Sequence, residues 1–174
     1  GHGSQTFLEV VQNSCNPGFV VLGQMLGKET LFDYIRKFGF GTKTGIDLLG
    51  EENGILFDLD KVGPVELATT SFGQGVSVTP IQQVAAVAAA INGGKLYKPY
   101  VAKAWIQPET GEIIQENEPQ LVRTVISEET SAKVREALES VVALGTGRNA
   151  FIDGYRVGGK TGTAENDESG DRPF

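Results

Sequence analysis

Lys160, Thr161, Gly162 and Thr163 place, in four consecutive positions, the groups needed to hold an anion beside a reacting carbonyl. Lys160 brings a cation for a carboxylate or a developing oxyanion, and Gly162 lets a ligand lie against the main chain. On an extended backbone Thr161 and Thr163 share one face, so two hydroxyls can grip a carboxylate while the Thr163 amide donates to an oxyanion. An ordinary edge strand with a solvated lysine and a turn at Gly162 has the same composition. Gly154 to Thr161 also fits the phosphate-cradling pattern G-x-x-x-x-G-K-[ST], which must follow a strand and open a helix. The context argues against that loop. Tyr155, Arg156 and Val157 alternate like a strand, and Thr161 to Asp167 lack the apolar spacing that a helix requires.

A second chemically competent group lies near the start of the chain, where Ser14, Cys15 and Asn16 precede Pro17. A hydroxyl and an amide two positions apart at a helix junction can both face one cleft, the first relaying a proton and the second donating and accepting. Pro17 suits the first turn of a helix. Taken alone, Ser14 or Asn16 also fits as a simple helix cap.

Together, Ser14-Cys15-Asn16 and Lys160-Thr161-Gly162 resemble the second and third signatures of the penicillin-binding transpeptidases and serine beta-lactamases, whose set is Ser-x-x-Lys, Ser-x-Asn and Lys-Thr-Gly. Gly41 to Leu48, Ser71 to Gly75 and Val78-Thr79-Pro80 are similar to segments of class B high-molecular-weight penicillin-binding proteins. Gly3 to Gln12 most resembles the sporulation member of that family. The resemblance implies an α+β fold, with a helical subdomain and part of an antiparallel sheet. It also implies peptidoglycan D,D-transpeptidase chemistry, an acyl transfer from stem peptides ending in D-Ala-D-Ala that beta-lactams mimic. Carried over by position, Ser14 relays protons, Asn16 bonds the acyl-side amide and Lys160 tunes the relay electrostatically. Thr161 and Thr163 would hold the terminal carboxylate across Gly162, and the Thr163 amide would supply half of the oxyanion hole. A non-catalytic beta-lactam sensor has the same fold and is the alternative reading.

Lys43-Thr44-Gly45 repeats the third signature, but it runs into Ile46-Asp47-Leu48, a structural loop in the resembled family, so Lys160 is the expected catalytic lysine. No Ser is followed three positions later by Lys. Residues 1–174 are therefore expected to be part of a transpeptidase domain, without the upstream Ser-x-x-Lys segment and the final strand and helix, and inactive alone. The resemblance implies a parent anchored at the extracytoplasmic face of the cell membrane and associated with cell-wall synthesis proteins.

The rest of the sequence must position these groups. With 174 residues and 40% hydrophobic content the chain can build one core. A net charge of -7 without a basic run excludes nucleic acid as an expected partner. One His and one Cys cannot assemble a metal cluster or an internal disulfide, no cofactor is expected, and Cys15 is read as a buried thiol beside the cleft. The longest apolar stretch, Val84 to Ile91, is far short of the roughly 20 residues of a membrane span. Helices are expected at Thr6 to Gln12, Phe19 to Leu26, from a Thr30 cap to Phe38, at Ile81 to Ile91 behind Thr79 and Pro80, and from Ser127 to about Ala143. The helix at Ile81 to Ile91 is apolar nearly all round and is expected to be central and buried. An irregular excursion is expected between Gly39 and Gly63, with strands at Tyr100 to Ile106, Glu112 to Ile114 and Tyr155 onward.

Overall fold

The computed structural model describes residues 2–163, which divide into two compact units. One is built from both ends of the chain, residues up to Gly18 and from Ala137 on; the other is the continuous stretch Phe19–Glu136.

In the first unit, α1 (Phe7–Gln12) opens with a capping box: Glu9 N–H donates to Thr6 Oγ1 at 3.3 Å, and Thr6 N–H donates back to Glu9 at 2.7 Å. Val10 of α1, with Val141 and Val142 from the last turns of α6 (Glu128–Leu144), forms its buried apolar centre. Gly18 is required by this packing, since a Cβ there would stand 2.6 Å from a Val10 methyl.

The continuous unit carries α2 (Asn16–Leu26) from Phe19 on, α3 (Lys28–Lys37), α4 (Pro64–Ser71), α5 (Pro80–Ile91), four strands and the first half of α6. Strands β1 (Lys95–Lys98) and β4 (Gln120–Thr124) pair antiparallel, Lys95 opposite Thr124, and between them in sequence β2 (Ala104–Ile106) and β3 (Ile113–Glu116) form a separate antiparallel hairpin. Phe32, Val62, Ala86, Ala89 and Leu96 make the apolar core. Gln82, only 1% exposed, spends its amide on the Thr42 and Asn53 carbonyls at 2.8 Å each and accepts from Thr79 N–H, so a buried polar group fixes the loop before α5. Ser131 likewise ties α6 to the end of α5, donating to Ala90 O at 2.8 Å and accepting from Gly93 N–H.

Several expectations change. The second helix begins at Asn16, because Pro17 already fits a first turn. The third is capped by Gly27 instead of Thr30. The helix at Pro64–Ser71 and strands β1 and β4 have no counterpart in the sequence reading: the strands are short, charged and almost wholly exposed, so they lack the alternation that marks a half-buried strand. The strand expected from Tyr100 starts only at Ala104, since the Asp47 carboxylate takes the Val101 and Ala102 amides at 2.7 and 2.8 Å. Its partner shifts to Ile113–Glu116. α5 buries only its Gln82, Ala86 and Ala89 side and leaves Val84 62% exposed, so it is not buried all round. No strand forms at Tyr155 to Val157: Asp153 and Gly154 turn, Tyr155 N–H donates to Ile152 O, and Gly159 N–H goes to a helical carbonyl instead of a ladder.

Candidate active site

Ser14 owes its position to the way α1 ends. Asn13 is the cap, Ser14 N–H donates to Val11 O at 3.2 Å and Cys15 N–H to Val10 O at 3.1 Å, the paired bonds of a Schellman turn. That turn needs a left-handed residue after the cap, a place usually held by glycine. Ser14 fills it at φ +50°, the one described non-glycine residue with positive φ. The turn aims the hydroxyl away from the helix and lets the chain restart at once as α2, with Asn16 exposed in its first position. Cys15 is half-buried.

Lys160 is delivered by docking on the end of α6. Gly159 N–H donates to Leu138 O at 3.1 Å, and a Cβ at Gly158 would stand 3.2 Å from Leu138 Cβ and 3.3 Å from Glu139 N, a close approach that favours glycine. Arg156 forks onto Glu139, with Nε at 2.9 Å and a terminal nitrogen at 2.5 Å, and that bond holds the Glu139 carboxyl below its ordinary value.

The two ends of the chain meet here. Lys160 Nζ donates to Ser14 Oγ at 2.6 Å across 146 positions of sequence, and to Thr161 O at 2.9 Å, with Thr161 Oγ1 at 3.4 Å. Desolvation of the ammonium pushes Lys160 below the ordinary lysine value of 10.5. A lysine that loses its proton more readily, in direct contact with a hydroxyl, is chemically fit to pass protons through that hydroxyl. Thr161, Gly162 and Thr163 are exposed, and a Cβ at Gly162 would meet nothing within 4 Å, so the backbone there is open to a ligand.

Thr146, to which the sequence analysis gives no role, joins the cluster. Its N–H donates to Gln12 O at 3.0 Å and its hydroxyl lies 3.0 Å from that of Thr161. Its neighbour Gly145 packs so tightly that a Cβ would overlap the Gln12 carbonyl oxygen. Nothing in the residue types foretells this; the signal is only that Gly145-Thr146-Gly147 follows a helix whose end must touch another.

The other Lys-Thr-Gly triplet is occupied. Glu51 accepts from both the Thr44 hydroxyl and amide at 2.5 Å and from Gly45 N–H at 2.9 Å, while Lys43 N–H donates to Asn53 Oδ1 at 3.1 Å. Desolvation opposes it, yet these bonds leave the Glu51 carboxyl below its ordinary value. The phosphate-loop reading lacks its preceding strand, and the expected absence of a helix after Thr161 falls largely beyond Thr163, outside the described residues. Among the described residues no three His, Cys, Asp or Glu side chains gather as metal ligands, and no helix is long and apolar enough to cross a membrane.

Comparison with known proteins places this chain in a family. The profile of the penicillin binding protein transpeptidase domain matches residues 1–173. The chain is 70% identical over 170 residues to stage V sporulation protein D of Bacillus subtilis, which covers 98% of this chain and 26% of that protein. It is 35% identical to the peptidoglycan D,D-transpeptidase FtsI of Escherichia coli K12, over 92% of this chain and 25% of that protein. The chain thus spans about a quarter of the length of the curated relatives it matches. Among solved structures, penicillin binding protein 3 from Mycobacterium tuberculosis complexed with ampicillin superposes with a TM-score of 0.85 at 36% identity, over 91% of this chain and 36% of that one. The transpeptidase domain of Burkholderia pseudomallei penicillin-binding protein 3 gives 0.83 at 30% identity, over 100% and 50%.

Proposed function

The chain belongs to the penicillin-binding protein transpeptidase domain family, and from that membership we propose that it is part of a peptidoglycan D,D-transpeptidase, contributing the proton relay and the carboxylate grip. The observation that carries the reading is the 2.6 Å bond from Lys160 Nζ to Ser14 Oγ.

The reaction is an acyl transfer in two halves. A serine hydroxyl attacks the penultimate carbonyl of a D-Ala-D-Ala stem peptide; the amide C–N bond breaks, and terminal D-alanine leaves with a proton on its amine. An amine from a neighbouring stem then attacks the ester, forms the cross-link and returns the serine. Ser14 passes the proton to the leaving amine, and Lys160 steadies the charge that develops along the relay. Asn16 bonds the acyl-side amide. Thr161 and Thr163 hold the terminal carboxylate over the open backbone at Gly162, and the Thr163 amide donates to the oxyanion. Beta-lactams enter as mimics of the same dipeptide. No Ser-x-x-Lys occurs in these 174 residues, so the nucleophile and its base come from sequence outside them. The final strand and helix of the domain are assigned outside them too.

The high identity to stage V sporulation protein D supports a role in spore wall synthesis. Peptidoglycan as substrate puts the complete protein at the extracytoplasmic face of the membrane, with an anchor outside the described residues and other wall-synthesis proteins as partners.

Intact-mass measurement after incubation with benzylpenicillin tests the assignment. The complete protein should gain one penicilloyl mass, lost when the serine of its Ser-x-x-Lys is changed to Ala. The 174-residue chain alone should gain none, and an adduct on it would overturn the account of the nucleophile. Acylation without any turnover of stem peptide would point to a sensor instead.

A further inference from the structure

We propose that Thr146 is a positioning residue of this site, orienting the Thr161 hydroxyl so that its proton faces an anionic, carboxylate-terminated ligand. This rests on the transpeptidase reading above and adds a residue to which that reading gives no role.

The argument is a count of protons and lone pairs. A threonine hydroxyl has one proton to donate and two lone pairs to accept with. Thr161 Oγ1 lies 3.4 Å from Lys160 Nζ, a cation that can only donate, and 3.0 Å from Thr146 Oγ1. If Thr161 spent its proton on Thr146, it would turn lone pairs toward an incoming carboxylate, and the contact would be repulsive. If Thr146 is the donor, both acceptor places of Thr161 are filled, by Lys160 and Thr146. Its single proton is then left for the ligand. The order Thr146 O–H to Thr161 O–H to carboxylate is the arrangement that makes Thr161 a donor to an anion, and each bond in such a chain strengthens the next.

Thr146 is held for this task by its backbone. Its N–H is fixed to Gln12 O at 3.0 Å, and Gly145 beside it is pressed against the same carbonyl. Gln12 is the last residue of α1, two positions before Ser14. The contact that sets the Thr146 hydroxyl therefore also sets the turn carrying Ser14, so carboxylate grip and proton relay share one support.

The test compares ligands that differ only in the carboxylate: benzylpenicillin and its methyl ester, with second-order acylation rates measured on the complete protein. Wild type should prefer the acid. Thr146→Val, which keeps the backbone bond and the side-chain shape, should lower the acid-to-ester rate ratio roughly five- to tenfold. Thr146→Ser should restore it. Thr161→Val should lower the ratio at least as much, and adding Thr146→Val to it should cost nothing further. An unchanged ratio in Thr146→Val, or an equal fall for acid and ester, would overturn the role given to Thr146 while leaving the transpeptidase reading intact. Wild-type protein that neither compound acylates would sink both.

Discussion

Ser14 sits where a helix-ending turn ordinarily employs glycine, and a left-handed side chain of this kind costs on the order of 1 kcal/mol. Its retention there is intelligible if the hydroxyl is needed more than the conformational ease. Ser14→Gly should thus leave the urea stability of the chain unchanged or raise it by up to about 1 kcal/mol, part of the strain relief being offset by the greater freedom of glycine in the unfolded chain. The same change in the complete protein should cut acylation about 100-fold or more, the scale of one lost preorganised group. A large loss of stability would show that the turn does not carry strain. Lys160 makes a separate prediction. Its folded pKa lies below the unfolded 10.5, so the folded state holds fewer protons between those two values and stability rises as pH climbs through that window. In catalysis the same displacement should place an alkaline limb of the acylation profile below pH 10.5. Lys160→Arg, which keeps its proton, should remove that limb whatever its effect on the rate.

The helices matter to the site through their ends. α1 is only six residues long, yet its C-terminus supplies the Ser14 turn and presents the Gln12 carbonyl to Thr146. α6 offers Leu138 O and Glu139 to the segment carrying Lys160, and its own stop at Leu144 frees Gly145 to approach Gln12. Gly145→Ala should accordingly cost about 1–3 kcal/mol, because a methyl group would be driven into backbone that cannot swing aside. It should also displace Ser14 and Thr161 together, visible as parallel chemical-shift changes at both; a shift at only one would separate the two supports. Local signals made α1, α5 and α6 readable from residue types: Phe7, Val10 and Val11 fall on one helical face, Thr79 precedes Pro80, and Ser127 is followed by Glu128 and Glu129 in the first turn of α6. β1 and β4 escape such reading because their pairing joins Lys95 to Thr124, and neither strand buries an alternating face that would reveal it.

Across the molecule, the meeting of Ser14 and Lys160 was legible in the sequence, and the contacts that bring the two together were not. Ser14, Asn16 and Lys160 could be singled out because few functions need those types in those patterns. Thr146 could not, since its role comes from a contact with Gln12 that no local pattern encodes. The expected strand at Tyr155 failed for a similar reason: alternation was present, but the backbone bond of Gly159 was claimed by α6. The unit holding the site is assembled from the first 18 residues and those after Ala137, with a continuous unit encoded between them. That arrangement imposes an order of events on synthesis. At about 5–20 residues per second, the 146 positions from Ser14 to Lys160 take roughly 7–30 s to leave the ribosome. For that interval the nascent chain carries the hydroxyl half of the relay without its cation, and the long loop must close before the two can meet. The continuous stretch from Phe19 to Glu136 has no such wait, and a message cut short before the codon for Lys160 would yield a chain with no relay at all.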